Sequence, residues 1–167
     1  IPGIEAPTGA LGMGLSAGAG MAWAAKRDGR DNRLYVVLGD GECTEGQVWE
    51  AALFGTGYRL DNLTAIVDFN KYVITGNIED IIHVGSFAEK FKAFGWDVQE
   101  IDGHNMEEIV KALDNTRDLS YAPGKPRAII ANTIKGYPIS FMMEDPVTYH
   151  SAHFNDDIYR KVMEELA

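Results

Sequence analysis

Apolar residues are spaced along this chain in two rhythms, short unbroken runs and longer stretches with helical periodicity. Residues 34–38 (LYVVL), bounded by Asn32 and Gly39, form one unbroken run, and residues 63–67 (LTAIV) form another. Such runs predict strands buried on both faces of a parallel sheet. Between them Val48, Ala51, Ala52 and Gly55 recur with helical spacing. Further along, 87–94 reads as a short amphipathic helix, 97–101 as a strand, 106–116 as a helix and 127–134 as a strand. A last helix is expected from about 155 to 166, capped by Asn155 or Asp156. Strands that alternate with helices predict a layered α/β fold with a mainly parallel sheet. The turn-rich stretch 120–126 is a loop, and with no linker, repeat or low-complexity tract the 167 residues suit a single domain.

Residues 6–25 carry no charge, a length that could span a bilayer. Their composition argues otherwise: Gly9, Gly12, Gly14, Gly18 and Gly20 keep the segment only mildly apolar, and no basic region precedes it. It reads as a loop followed by a buried helix over 14–26, whose small residues let a neighbouring backbone or cofactor come close. The net charge of −10 argues against nucleic acid as a partner. The lone Cys43 cannot form an internal disulfide, which points to a reducing, cytoplasmic compartment. It reads as a small residue filling a turn rather than as a nucleophile, since activation needs a base or a depressed pKa.

The candidate chemistry lies just after the first two strands. Gly39, Asp40 and Gly41 turn the chain after 34–38, and Asn70 follows 63–67 by three residues. Strand, glycine turn and helix is a phosphate-binding arrangement, and ligands of open parallel sheets bind beyond the carboxyl ends of strands. Asp40 and Asn70 would give a hard cation two oxygens, with a backbone carbonyl, diphosphate oxygens and water completing a magnesium shell. A Gly-Asp-Gly triplet alone is more often an ordinary turn.

The flanking text makes the pattern specific. TGALGMG (8–14), GDGECTEGQVWEA (39–51), LDNLTAIVDFNKYVITG (60–76), FKAFGWDVQEIDGHN (91–105) and YHSAHFND (149–156) resemble the diphosphate-binding domain of transketolases. The resemblance runs over nearly the whole chain and implies the three-layer α/β/α thiamine diphosphate-binding fold. It implies thiamine diphosphate as cofactor, with Mg2+ (or Ca2+/Mn2+) held by Asp40, Asn70 and the carbonyl of Tyr72. Gly39 shapes the turn, the amides of Gly41 and Glu42 face the diphosphate, Gly9 and Leu11 line the thiazolium, and Ile74 supports the bent cofactor. His150 matches a histidine on the diphosphate and substrate side, the candidate catalytic residue of this chain. Glu45 matches a residue at the dimer interface, although a first-turn glutamate favoured by the helix dipole explains it equally well. His153 reads as a surface residue, and His83 and His104 as structural.

The same resemblance implies transfer of a two-carbon ketol unit from a ketose phosphate to an aldose phosphate. It also implies that the diphosphate-binding domain is incomplete at its start and that the pyrimidine-binding domain lies on a partner, in a homodimer or heterotetramer, so that this chain is inactive alone. Other readings are another thiamine diphosphate enzyme, such as a deoxyxylulose phosphate synthase, and a non-catalytic scaffold or regulatory subunit. The family commonly has Pro or Ser at Ala10, Gln at Met13, Gly-Lys-Gly where this chain reads Lys135-Gly136-Tyr137-Pro138, and Trp-His-Gly where it reads Tyr149-His150-Ser151. The cofactor anchor is intact and the substrate rim altered, which points to a specialised ketol donor or acceptor.

Overall fold

A computed structural model describes residues 3–167. In chain order the main elements are α1 (Met13–Arg27), β1 (Leu34–Gly39), α2 (Gly46–Gly57), β2 (Leu63–Phe69), β3 (Tyr72–Val73), β4 (Gly76–Asn77), α3 (Ile78–Ile81), α4 (Phe87–Ala93), β5 (Asp97–Asp102), α5 (Met106–Arg117), β6 (Arg127–Asn132), α6 (Ser140–Glu144) and α7 (Asp156–Glu165). Four strands form one parallel sheet in the order β1, β2, β6, β5, and β3 with β4 makes a small antiparallel hairpin.

The layers follow from strand alternation, which sends successive side chains to opposite faces. On one face Val36 meets α1 so closely that a Cβ on Gly18 would stand 2.4 Å from Val36 Cγ2. The glycine-rich helix is therefore a close-packing device, as its composition implies. Val48, Ala51, Ala52 and Gly55 of α2 are all buried. Trp49 stacks on Phe91 of α4 at 5.1 Å, and Phe91 on Trp96 at 5.2 Å, so α2 and α4 meet over the core. On the other face the Tyr35 hydroxyl lies 3.2 Å from Thr116 Oγ1 of α5, and Gln99 of β5 donates to the Ala112 carbonyl of the same helix. Helices thus cover both faces of the sheet, the three-layer α/β/α arrangement.

β2 is an interior strand as expected, with Leu63, Thr64, Ala65 and Val67 buried. β1 departs from expectation: Tyr35 is 43% and Val37 70% exposed. Among the described residues β1 pairs only with β2, at the margin of the sheet, and α5 packs over β5 at the opposite end. The face of β1 that carries Tyr35 and Val37 is therefore only partly covered, α5 meeting it through the Tyr35 hydroxyl. β6 also stops at Asn132, two residues short of the expected end, its last ladder bond running from the Thr133 amide to the Phe69 carbonyl at 3.3 Å. The closing helix is capped as expected, Asn155 Oδ1 accepting from the amides of Asp157 and Ile158. No helix among the described residues is long and apolar enough to cross a membrane.

Candidate functional site

Parallel register brings the carboxyl ends of three strands to one edge: Gly39 lies opposite Asp68, and Asp68 opposite Ala131. Asp40, Asp68, Asn70 and Thr133 are gathered there by topology alone. Asp40 is 1% exposed. Its Oδ1 accepts from the Gly41 amide at 2.7 Å and its Oδ2 from the Lys71 amide at 2.5 Å. Lys71 reaches it by adopting a left-handed backbone, φ +70°. Asn70 Oδ1 accepts from the Tyr72 amide at 3.0 Å, and its Nδ2 donates to Asp68 Oδ2 at 3.1 Å.

Burial pushes the Asp40 carboxyl above the usual carboxylate range, the Lys71 and Gly41 amides pull it back, and the neighbouring Asp68 charge raises it further. Among the described residues Asp40 forms no ion pair within 4.0 Å. A buried carboxylate in that position is stabilised by a cation. No group of three or more His, Cys, Asp or Glu able to hold a metal occurs among the described residues. A cation at Asp40 must therefore draw on neutral oxygens such as the Asn70 amide and backbone carbonyls, and on a ligand. That donor set suits magnesium with phosphate better than a dedicated protein cage.

The glycine turn does not lead straight into a long helix. A 3-10 turn over Glu42–Thr44 intervenes, and α2 begins only at Gly46. The amides of Gly41 and Glu42 therefore lie in the turn itself rather than in the first turn of α2, and that of Gly41 is donated to Asp40 Oδ1. The β3–β4 hairpin closes over them: a Cβ on Gly41 would stand 2.8 Å from Val73 Cγ1. The side chain of Glu42 has a part that sequence reasoning misses. Its carboxylate accepts from the Gly12 amide at 2.9 Å and the Gly39 amide at 3.2 Å, tying the 8–12 loop to the turn. Glu42 and Gly12 lie 30 apart in the chain, and no local signal marks the pair.

Gly9 and Leu11 are exposed, Leu11 at 62%, and Ile74 at the hairpin tip is 64% exposed. Tyr72 opens β3 directly after the Asn70 turn. Glu45 is the exposed residue preceding α2 and makes no side-chain capping bond. His150 lies in a 3-10 turn, with Nδ1 2.7 Å from Lys135 Nζ. Burial draws the Lys135 ammonium below its ordinary range while the Asp40 and Asp68 carboxylates hold it up, so Lys135 lies between His150 and the carboxylates at the strand ends. A protonated Lys135 can only donate, which leaves Nδ1 as acceptor and puts the ring proton of a neutral His150 on Nε2. His104 accepts from the Ile134 amide at 2.8 Å and stacks on Tyr137. His83 pairs with Glu79 at 2.6 Å on the surface, and His153 is exposed. Cys43 is buried, its thiol pushed up to about 12 chiefly by that burial.

The fold and the site edge define a three-layer α/β/α protein with a glycine turn and a buried carboxylate, Asp40, at its strand ends. The transketolase thiamine diphosphate-binding domain family matches residues 1–166, and the chain belongs to that family. It is 44% identical over 164 residues to the 6-deoxy-6-sulfo-D-fructose transketolase subunit SqwG of Clostridium sp. (strain MSTE9), covering 98% of this chain and 58% of that protein. It is 42% identical over 167 residues to an apulose-4-phosphate transketolase subunit of Phocaeicola vulgatus, covering 100% of this chain and again 58% of the relative. The chain thus spans 58% of the length of these relatives. Among solved structures, transketolase from Campylobacter jejuni superposes with a TM-score of 0.72 at 28% identity, over 98% of this chain and 31% of that one.

Proposed function

We propose that this chain is the diphosphate-binding part of a thiamine diphosphate- and divalent metal-dependent transketolase. The whole protein would transfer a two-carbon ketol unit from a ketose phosphate to an aldose phosphate. The observation that carries the reading is the buried Asp40 set beside Asn70 at the ends of β1 and β2, in a chain of the transketolase family.

Asp40, Asn70 and the Tyr72 carbonyl hold the cation, Mg2+ (or Ca2+/Mn2+), and the amides of Gly41 and Glu42 meet the diphosphate. Gly9 and Leu11 line the thiazolium and Ile74 supports the cofactor; exposed apolar side chains at Leu11 and Ile74 suit surfaces that a bound ring would cover. When bound, thiamine diphosphate supplies an acidic thiazolium carbon that becomes the nucleophile. His150 offers an Nε2 proton to anionic oxygens on the substrate side, and Lys135 keeps it in that tautomer. Glu45 lies at an interface between subunits.

The relatives are named as subunits of transketolases acting on a sulfosugar and on apulose 4-phosphate. That kinship supports a pyrimidine-binding partner, in a homodimeric or heterotetrameric assembly, and a specialised sugar phosphate substrate; the lone Cys43 supports a cytoplasmic setting. The test is calorimetry with thiamine diphosphate and Mg2+ on the full-length protein assembled with its partner, followed by assay with ketose phosphates. Binding that Asp40→Ala abolishes supports the reading; an absence of binding, or an unchanged affinity in Asp40→Ala, refutes it.

A further inference from the structure

We propose that Asp68 is a positioning residue that decides which end of the Asn70 carboxamide a cation meets. The inference rests on the reading of Asn70 as a cation ligand. The oxygen and nitrogen ends of a carboxamide are nearly the same size, so packing does not choose between them; hydrogen-bond partners do. A carboxylate accepts only. Asp68 Oδ2, 3.1 Å from Asn70 Nδ2, therefore holds the nitrogen end and leaves Oδ1 turned outward, where it also accepts from the Tyr72 amide at 3.0 Å. Were the amide reversed, an NH2 group would face the cation, and both hydrogen bonds would become contacts between like partners.

Asp68 is itself fixed from two further directions. Its Oδ1 accepts from the Thr133 hydroxyl just past the end of β6, and its carbonyl accepts the Asp40 amide at 3.2 Å. A single residue at the end of β2 thus fastens both candidate ligands, one by its main chain and one by its side chain. It also ties them to a third strand, 65 residues away in sequence. Groups that orient metal ligands in this way are worth about 10–100-fold in metal affinity.

Hydrogen bonding, not charge, is the essential property, and two substitutions separate them. In Asp68→Asn the new amide can accept from Asn70 with its oxygen and donate to the Thr133 hydroxyl with its nitrogen, so the orientation survives without the charge. In Asp68→Ala both bonds are lost. The test is titration of Mg2+ at saturating thiamine diphosphate, in the full-length protein assembled with its partner. The expected result is that Asp68→Ala loses about 10–100-fold in Mg2+ affinity, while Asp68→Asn stays close to wild type. In a crystal structure of metal-free Asp68→Ala, the Asn70 carboxamide, then held by the Tyr72 amide alone, should leave its single wild-type orientation and occupy more than one conformer.

Equal losses in Asp68→Asn and Asp68→Ala would overturn the inference in favour of a purely electrostatic role. An unchanged affinity in Asp68→Ala would overturn it too. Should Asp68→Ala fail to assemble, Thr133→Val takes its place by releasing one Asp68 oxygen. The expected loss there is about tenfold, the low end of that range, and none would overturn the inference. Binding in wild type that persists undiminished in Asp68→Ala removes this inference alone. An absence of binding in wild type removes the ligand assignment beneath it.

Discussion

Val73 lies over Gly41 with no room for a side chain between them, since a Cβ at position 41 would stand 2.8 Å from Val73 Cγ1. The hairpin thereby caps the glycine turn, and glycine is required by contact with another segment rather than by its own backbone angle, φ −60°. Gly41→Ala should force the hairpin outward at about 1–3 kcal/mol, the usual range for overpacking. Adding Val73→Ala should recover most of that loss. Urea unfolding of the single and double variants measures both, and an additive double variant would show that the two residues do not meet.

Glu42 joins the 8–12 loop to the glycine turn through its carboxylate. Glu42→Ala should free the Gly12 amide, with hydrogen exchange there speeding up and cofactor affinity falling. Hydrogen bonds to a charged group are worth about 1.5–3 kcal/mol. Glu42→Gln, which keeps a carbonyl acceptor, should fall between. Unchanged exchange at Gly12 in Glu42→Ala would rule out the tether.

Cys43 should be inert while the protein is folded. Burial, with the Glu42 and Asp40 charges adding to it, pushes its thiol up to about 12. At pH 8 the native protein therefore offers almost no thiolate to a disulfide reagent, whereas the unfolded chain reacts readily. The sign for stability follows: the raised value favours the protonated, folded form, so stability is full below the unfolded thiol range of about 8.5 and declines as pH rises toward 12. Stoichiometric labelling of the native protein at pH 8 would contradict this.

Trp96 anchors α4 to α2. It is 3% exposed, donates Nε1 to the Ala52 carbonyl at 2.9 Å and stacks on Phe91. Trp96→Ala should destabilise the fold by about 3–5 kcal/mol, as large aromatic truncations do, without altering the residues at the strand ends. Denaturant titration gives the stability. A loss below about 1 kcal/mol would show that the surroundings collapse into the space.

Much of this architecture is legible because the decisive signals are local. The apolar run of β2, the buried stripe Val48, Ala51, Ala52 and Gly55, and the Asn155 cap each lie within a few residues and agree with the structure. The exposure of β1 is not legible, because an apolar run reports what a strand tolerates, not how many neighbours it has; Tyr35 and Val37 lie on an edge. The hairpin is hidden because each of its strands has two residues, set by the left-handed Lys71 rather than by periodicity. Asp40 and Asn70 can be picked out by motif. What orients them cannot, since the Glu42 tether and the Asp68–Thr133 bond join residues 30 and 65 positions apart.

The bare flank of β1 has a practical side. A marginal parallel strand with Val37 70% exposed is a template for strand addition by any chain that meets it. Produced as these 167 residues alone, the protein would carry its own nucleus for aggregation at Leu34–Gly39. Charge repulsion from its surplus of acids would be the chief brake, and raising the salt concentration would release it.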